Sequence, residues 1–262
     1  MSIRQEARLL SQQDIEPRKF PGGAMQWLVD QRLGALHIMS YRLVLEPGET
    51  TSHAHEDAEE ALYVLAGSGN ISVESRTHAV GTGNAVFIPA GAEHTHENTG
   101  VEALVIVGAM APPIDPTTIR AVMPRLDLGT SLRTSSIDEG SIRPTMMDEQ
   151  RVTPTLMGER SFRVLVDPAL GCRRMTQFTG IIPRGRAPLH AHPHEEAVYI
   201  LEGEGRLWIG EEPAGTLRPG SVVFFPIGVR HSLENTGPDD MKVLGAFSPA
   251  GSPEAKLPPP PA

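Results

Sequence analysis

Several features are scarce in this chain of 262 residues, and each scarcity excludes a class of protein. Cys172 is the single cysteine, so no internal disulfide can form and nothing indicates an oxidising compartment. Basic residues are outnumbered, 23 Lys and Arg against 32 Asp and Glu, which argues against a nucleic-acid-binding surface. No apolar run approaches the length of a membrane span, and MSIRQEARLL at the N-terminus lacks the apolar stretch of a signal peptide. We therefore expect a cytoplasmic protein with no nucleic-acid or membrane partner.

Glycine and proline, by contrast, are plentiful, and they punctuate short apolar runs. The chain has 26 Gly and 24 Pro, together nearly a fifth of its residues, which is typical of many short strands joined by turns. The runs at 61–67 (ALYVLAG) and 197–203 (AVYILEG) end at glycine, whereas those at 84–89 (NAVFIP) and 221–226 (SVVFFP) end at proline. The sequence therefore predicts an all-β fold.

The chain also contains an internal repeat. VDQRLG at 29–34 returns as VDPALG at 166–171, and ENTG at 97–100 returns at 234–237, so the offset is 137 in both cases (29 to 166, 97 to 234). Between these points the second copy has lost one residue, and the offset then recovers. Such an offset, kept over most of a copy, indicates a tandem duplication. We predict two antiparallel β-barrels related by a pseudo-twofold axis, with few helices.

The repeat and the composition together predict the domain boundaries. Residues 112–160 are rich in Pro, Ser, Thr and charge without a sustained period, which indicates a linker that contains either a short helix near 117–123 or an added strand. The proline-rich C-terminus is predicted to be extended and unpacked. The predicted segments are an N-terminal extension (1–24), a first barrel (25–111), a linker (112–161), a second barrel (162–249) and a tail (250–262).

Each copy carries three histidines and a glutamate in the same order. A His-x-His pair comes first, then a glutamate, then a third histidine that follows a Pro-x-Gly turn. Alternate residues of a strand point to the same face, so the His-x-His pair projects two imidazoles together, and the turn brings the third imidazole onto the facing strand. The two sets are His53, His55, Glu60 and His94 in the first copy, and His190, His192, Glu196 and His231 in the second.

Three neutral imidazoles and one carboxylate suit a divalent transition metal, namely Mn, Fe, Ni, Co, Cu or Zn, and we predict up to two ions per chain. This ligand set leaves a divalent ion with a charge of about +1 and, in an octahedral arrangement, two adjacent positions for substrate, water or dioxygen. His194 is an alternative ligand, but the register of the histidines relative to Glu196 favours His190 and His192 as the ligand pair. The neighbouring Glu59 and Glu195 belong to the opposite strand faces, where we expect them to be exposed to solvent.

This pattern resembles the two sequence motifs of the cupin superfamily, and two copies make the chain similar to a bicupin over about 25–111 and 162–249. The resemblance implies two tandem cupin barrels, of the double-stranded β-helix or jelly-roll type, joined by a short helical or irregular linker. It gives the eight residues above the role of metal ligands in both barrels. It also implies an oligomer such as a homodimer, for which residues 1–24 are candidates to add a strand to another subunit.

Three function classes remain open, because the cupin fold alone does not determine function. The first is a dioxygenase or oxidase acting on a small oxygen-rich metabolite. The second is a redox-neutral isomerase, lyase or decarboxylase in which the ion polarises a carbonyl. The third is a binding protein without activity, against which the intact ligand sets of both copies argue. We expect the dioxygenase class, because cupin dioxygenases of the quercetinase type use this ligand set, although oxalate-degrading bicupins use it with manganese.

The two copies differ two residues after the third ligand, where the first has His96 and the second has Leu233. Strand alternation predicts that both side chains face the metal. Because an imidazole can act as a general acid or base, we predict that His96 is a catalytic residue and that the first site carries more of the proton transfer. The alternative is that His96 packs at the end of the barrel or bonds Glu97 or Asn98.

Overall fold

The computed structural model of the protein describes residues 6–115 and 146–258. In these ranges short strands are joined by turns and by 3-10 helices of three residues, and there is no α-helix. Over the same residues, no helix has the length and apolar character needed to cross a membrane. The all-β prediction is confirmed, whereas the short helix considered near 117–123 lies outside the described residues.

The strands of the two halves follow the same order. Those that precede residue 116 are β1 (Arg8–Ser11), β2 (Arg18–Phe20), β3 (Gly23–Val29), β4 (Met39–Leu45), β5 (Thr50–His53), β6 (Glu59–Ala66), β7 (Ser68–Val73), β8 (Arg76–Gly81), β9 (Asn84–Ile88), β10 (His94–Glu97) and β11 (Leu104–Ala111). Those that follow residue 145 are β12 (Met146–Asp148), β13 (Thr155–Met157), β14 (Arg160–Val166), β15 (Thr176–Ile182), β16 (Gly185–Arg186), β17 (Glu195–Glu202), β18 (Gly205–Ile209), β19 (Glu212–Leu217), β20 (Ser221–Phe225), β21 (His231–Asn235) and β22 (Met241–Ser248). The 3-10 helices are Gln12–Asp14, Gln31–Leu33, Glu149–Arg151 and Pro168–Leu170.

Each barrel is built from a seven-stranded and a four-stranded sheet in which all neighbours are antiparallel. In the first barrel the sheet orders are β2-β3-β4-β11-β6-β9-β12 and β5-β10-β7-β8. In the second they are β13-β14-β15-β22-β17-β20-β1 and β16-β21-β18-β19. The apolar faces of the two sheets enclose a separate core in each barrel. The candidate ligands lie on β5, β6, β10 and the segment after β5 in the first barrel, and on β17, β21 and the segment before β17 in the second.

Two strands cross between the halves. β1 pairs with β20 of the second barrel, where Leu9 lies opposite Val223, and β12 pairs with β9 of the first barrel, where Met146 lies opposite Val86. Leu9 and Met146 are separated by the repeat offset, so the duplication extends further towards the N-terminus than the motifs indicate. Part of the N-terminal extension therefore adds a strand to the other barrel of its own chain. The described part of the predicted linker contains β12 and β13, as the added-strand alternative expects.

The two barrels pack against each other through a shared apolar core. It contains equivalent residues from both halves, such as Phe87 and Phe224, which are fully buried. Polar contacts at this interface are also paired, because Tyr63 donates a hydrogen bond to Glu149 at 2.6 Å and the equivalent Tyr199 donates one to Gln12. The barrels consequently form one packed unit.

The prediction that Glu59 and Glu195 face solvent is wrong, because their exposed fractions are 7% and 1%. Glu195 accepts hydrogen bonds from the backbone N–H groups of Leu36 and His37, in the first barrel, at 2.7–3.1 Å. In the same way, Glu59 of the first barrel accepts hydrogen bonds from the backbone N–H groups of Arg173 and Arg174, in the second barrel, at 2.9 and 2.8 Å. The outer faces of β6 and β17 meet the other barrel rather than water, which strand alternation alone does not reveal.

Candidate metal centres

The first centre brings together the four residues that the motif predicted. One ligand atom from each of the four lies within 4.8 Å of all the others. His94 Nε2 is 3.1 Å from Glu60 Oε2 and 3.1 Å from His53 Nε2. The strand register accounts for this geometry, since His94 on β10 is directly opposite His53 on β5.

The hydrogen bonds at the first centre leave ring nitrogens of the histidines without a hydrogen-bond partner next to the Glu60 carboxylate. His94 Nδ1 lies 3.0 Å from the carbonyl oxygen of Ala92, an arrangement that suits an Nδ1–H donor and leaves Nε2 free. The buried Nε2 of His55 has no hydrogen-bond partner. The Tyr41 hydroxyl donates a hydrogen bond to Glu60 Oε1. Buried imidazole nitrogens without partners, grouped around a carboxylate, fit a bound transition-metal ion.

The protonation states at the first centre also suit a metal. Burial lowers the pKa of His53, and the nearby His94 lowers it further, so the imidazole is held neutral. Burial alone would raise the pKa of Glu60, but His55 and His94 hold it below its ordinary value, and Glu60 in turn raises the pKa of His94, whose proton a bound cation would displace. Neutral imidazole and ionised carboxylate are the forms that coordinate a cation.

The second centre is formed by the three predicted histidines. One nitrogen from each of His190, His192 and His231 lies within 4.8 Å of the others. Each ring places Nδ1 beside a backbone carbonyl, which fixes the ring and directs Nε2 towards the centre. The carbonyl acceptors for His190, His192 and His231 are those of Pro188 at 2.7 Å, Ala255 at 2.7 Å and Val229 at 2.9 Å, respectively.

Glu196 is placed less tightly than its counterpart in the first barrel. Its Oε2 lies 3.6 Å from His192 Nε2 and 4.0 Å from His231 Nε2, and it is not part of the closely grouped set of ligand atoms. The position equivalent to Tyr41 is Phe178, which has no hydroxyl to hold the carboxylate. Burial raises the pKa of Glu196, and only His192 opposes this effect. Its role as a ligand therefore stays a prediction.

His194, the alternative ligand, belongs to the packing around the centre instead. Its ring stacks between His192, with centroids 4.6 Å apart, and Phe247, with centroids 3.9 Å apart. Burial lowers its pKa to about 3, and the neighbouring His192 contributes to that shift. His194 is outside the group of three histidines whose nitrogens lie close together.

A cavity of about 80 Å³ opens onto the second centre. Its wall is mainly apolar and includes Phe162, Val198 and Phe225, while His190, His192, Glu196 and His231 contribute its polar part. Phe225 also stacks on His231, with ring centroids 3.6 Å apart, so an aromatic ring forms the cavity wall beside this imidazole.

A difference between the two copies explains why this cavity exists. Gly180 lines it, whereas the equivalent position in the first barrel is Leu43, which is buried in the core of that barrel. The register confirms the equivalence, because Gly180 lies opposite Val243 and Leu43 lies opposite Ile106. The motifs did not single out Gly180 or Tyr41. Both could have been found by comparing the two copies at positions other than those of the ligands.

His96 lies inside the first barrel, as strand alternation predicted. It is fully buried, and its ring centroid lies 5.4 Å from that of His94. Its Nδ1 is 3.1 Å from the Thr51 hydroxyl oxygen, while its Nε2 has no hydrogen-bond partner. Burial lowers the pKa of His96 to about 3, and His94 adds to this effect. The catalytic role of His96 stays a prediction.

Comparison with known sequences agrees with the two-barrel architecture. The sequence model of the family described as "Cupin domain" matches residues 41–109 and again 178–247. The chain belongs to the cupin family. It is a bicupin, since the two matches correspond to the two barrels. Protein SchB of Streptomyces halstedii is 34% identical over 116 residues, which cover 42% of this chain and 84% of SchB. The polyketide synthase CurC of Streptomyces cyaneus is 27% identical over 107 residues, 40% of this bicupin and 70% of CurC.

Solved structures share the fold over nearly the whole chain. A variant of Bacillus subtilis oxalate decarboxylase superimposes with a TM-score of 0.75 at 17% identity, covering 95% of this bicupin and 78% of that protein. A protein from Pseudomonas aeruginosa described as glyoxylate-induced superimposes with a TM-score of 0.72 at 18% identity, covering 96% of this bicupin and 92% of that chain. At these identities the likeness concerns the fold alone.

Proposed function

We propose that this bicupin is a metal-dependent enzyme that catalyses a redox-neutral reaction of the decarboxylase type on a small oxygen-rich molecule. We further propose that the substrate binds in the second barrel. The observation that carries the proposal is the cavity of about 80 Å³ that opens onto the imidazoles of His190, His192 and His231. The structural likeness to oxalate decarboxylase supports the choice of reaction class.

Different residues of the second barrel would take different roles in such a reaction. The Nε2 atoms of the three histidines, with Glu196, would hold the ion, whose Lewis acidity would polarise a substrate carbonyl. The apolar side chains of Phe162, Val198 and Phe225 would exclude water from that end of the cavity. In the step itself, the bond between the carboxylate carbon and its neighbour breaks and CO₂ leaves. The electron pair stays on the neighbouring carbon, which then takes a proton from solvent at the open mouth.

Dioxygenase activity is the second candidate. The mainly apolar wall of the cavity favours it, because a substrate with an apolar body and O₂ would both partition into such a space. The two reactions differ in their use of oxygen, since decarboxylation as written consumes none.

The experiment is a turnover assay on protein loaded separately with Mn(II), Fe(II), Ni(II) or Zn(II). The substrates are small diacids, 2-oxo acids, enolisable diketones and flavonols, and both CO₂ release and O₂ uptake are recorded. We expect CO₂ release without net O₂ uptake. Oxygen consumption in proportion to turnover would instead support the dioxygenase.

A matched pair of variants locates the reaction. We expect His231→Ala to abolish turnover and the equivalent His94→Ala to retain most of it. If His94→Ala and His96→Leu abolish turnover while His231→Ala does not, the reaction belongs to the first barrel and His96 takes the role predicted from the sequence. Cytoplasmic location and a homodimer stay predictions of the sequence.

A further inference from the structure

Two basic side chains line the cavity of the second barrel. Arg160 begins β14, two residues before Phe162, so both side chains are on the same face of the strand, and both line the cavity. Lys256 reaches the cavity from the C-terminal segment, together with Pro253. Arg160 is half-buried, whereas Lys256 is exposed. The cavity thus has an apolar interior and cationic groups in its lining.

Neither cation is neutralised by the part of the protein that the structure describes. Among residues 6–115 and 146–258, no acidic side chain forms an ion pair with Arg160 or Lys256, and neither side chain has a hydrogen-bond partner. Arg160 and Lys256 therefore leave a positive charge at the cavity that can attract an anion.

The arginine is specific to the second barrel. The residue equivalent to Arg160 in the first barrel is Gly23, which has no side chain to contact a ligand. A more open depression of about 270 Å³ shares Arg160 with the cavity and is also lined by Arg184 and Arg186. Glu159 also lines this depression and Arg186 pairs with Glu211 at 3.2 Å, so Arg184 is the group there that adds to the positive charge near Arg160.

The size and polarity of the cavity restrict which anion fits. One water molecule needs about 10–15 Å³ of such space, so a volume of about 80 Å³ holds on the order of five to eight non-hydrogen atoms. Away from the basic groups and from the polar side formed by the three histidines and Glu196, the wall consists of side chains such as Phe178, Val198 and Leu233, which offer no partner to a second carboxylate. Gly180 provides the space, because a Cβ there would already lie 3.1 Å from Val243 Cγ2.

We propose that the second barrel binds a small organic monocarboxylate, with the carboxylate at Arg160 and Lys256 and the short remainder of the molecule against the wall towards the imidazoles. This inference rests on the proposed function only in placing the substrate in the second barrel. An arginine guanidinium binds a carboxylate through two parallel hydrogen bonds, which sets the orientation of the ligand as well as its charge.

The test is calorimetric titration of the metal-loaded full chain with isobutyrate, its neutral analogue isobutyramide, and inorganic sulfate. We expect isobutyrate to bind at least about tenfold more tightly than isobutyramide, since a hydrogen bond between two charged groups is stronger than one to a neutral amide. Arg160→Gln is expected to weaken isobutyrate binding about tenfold or more. Lys256→Gln is expected to cause a smaller loss of about two- to threefold, because its ammonium is exposed.

Arg218→Gln is the matched control, because it removes the same charge from an exposed position of the same barrel and should leave isobutyrate affinity unchanged. Gly180→Leu, which restores the residue of the first barrel, should weaken isobutyrate binding at least about tenfold while leaving sulfate binding unchanged. Gly180→Ala replaces it in this test if the leucine variant does not fold.

Two results would overturn the proposal: isobutyrate affinity unchanged by Arg160→Gln, or sulfate binding as tight as isobutyrate together with no effect of filling the cavity. These results are distinguishable from failure of the proposed function. If isobutyrate binding depends on Arg160 but no substrate is turned over, the monocarboxylate site stands and the assigned reaction fails. If turnover occurs in the second barrel without dependence on Arg160, the assigned reaction stands and the monocarboxylate site fails.

Discussion

At the level of single residues, the two candidate metal centres differ in how their glutamates are held. Tyr41 donates a hydrogen bond to Glu60, whereas the equivalent Phe178 offers no donor to Glu196. Burial raises the pKa of the Tyr41 hydroxyl and the carboxylate of Glu60 raises it further, so the phenol remains a donor at neutral pH. A hydrogen bond to a ligating carboxylate fixes its orientation and typically changes metal affinity 10–100-fold. The first centre is therefore expected to bind its ion more tightly.

Tyr41→Phe tests this role. We expect the variant to lower the metal affinity of the first centre about 10–100-fold, because Glu60 loses the donor that orients it. The measurement is a titration against a chromogenic chelator in a His231→Ala background, so that binding at the second centre is removed. Tyr63→Phe is the control, since it also deletes a buried tyrosine hydroxyl but one that bonds Glu149 outside the centre. Equal affinity in Tyr41→Phe and the parent would contradict the assignment.

The histidines of both centres could be predicted from the sequence because their convergence follows from strand alternation and a turn. Gly180 and Arg160 could not, because their importance depends on which side chain is missing from the equivalent place in the other barrel. Glu59 and Glu195 were predicted on the correct face of their strands but in the wrong surroundings. Periodicity specifies a face, and only the packing of the barrels specifies what that face meets.

At the level of elements, the strands exchanged between the barrels are the feature that the motifs did not predict. β1 and β12 are only four and three residues long, too short to show a period. A weak signal was present, because Gln13 and Pro17 recur as Gln150 and Pro154 at the repeat offset. Recognising it required extending the repeat through a stretch where most residues differ.

The 3-10 helix after β12 contributes a buried contact to both barrels through Glu149. Its carboxylate accepts hydrogen bonds from Tyr63 of the first barrel at 2.6 Å and from Thr179 and Lys242 of the second at 2.9 Å each. Burial would raise the pKa of Glu149, but the bonds from Tyr63 and Lys242 outweigh this and hold it below 4.5. The ionised form is therefore the one that stabilises the folded protein.

The pH dependence of stability follows from the sign of this shift. A carboxyl with a lowered folded-state pKa stabilises the protein above its unfolded-state value, and this stabilisation is lost as the pH falls through the folded-state value. We expect Glu149→Gln to lower the urea midpoint at pH 7, and the difference from the parent to shrink as the pH falls below 4.5. The exposed Glu204→Gln serves as control and should show no such convergence. A difference that stays constant down to the acid limit would contradict the role of Glu149.

At the level of the whole molecule, the two barrels form one unit with two unequal centres. The barrels are joined by the shared core and by the hydrogen bonds that Glu59 and Glu195 each accept from the other barrel. Each barrel therefore covers one face of the other. The C-terminal segment adds to the second barrel alone. Leu257 N–H donates to the carbonyl of Ala191 at 2.8 Å, and Gly251 exchanges hydrogen bonds with Thr176. Residues 251–257 thus contact the barrel, whereas the proline-rich end that the sequence predicts to be extended lies mostly outside the described residues.

This segment also reaches the metal centre, since Ala255 provides the carbonyl that orients His192. A chain ending at residue 249 is therefore expected to lose about 10–100-fold in metal affinity at the second centre and none at the first. Elemental analysis at a limiting metal concentration should give two ions for the full chain and one for the shortened chain, with both values falling at acid pH as imidazoles protonate. Adding His94→Ala to the shortened chain should leave almost no metal, whereas adding His231→Ala should leave one ion. Two ions retained by the shortened chain would show that His192 is oriented without this carbonyl.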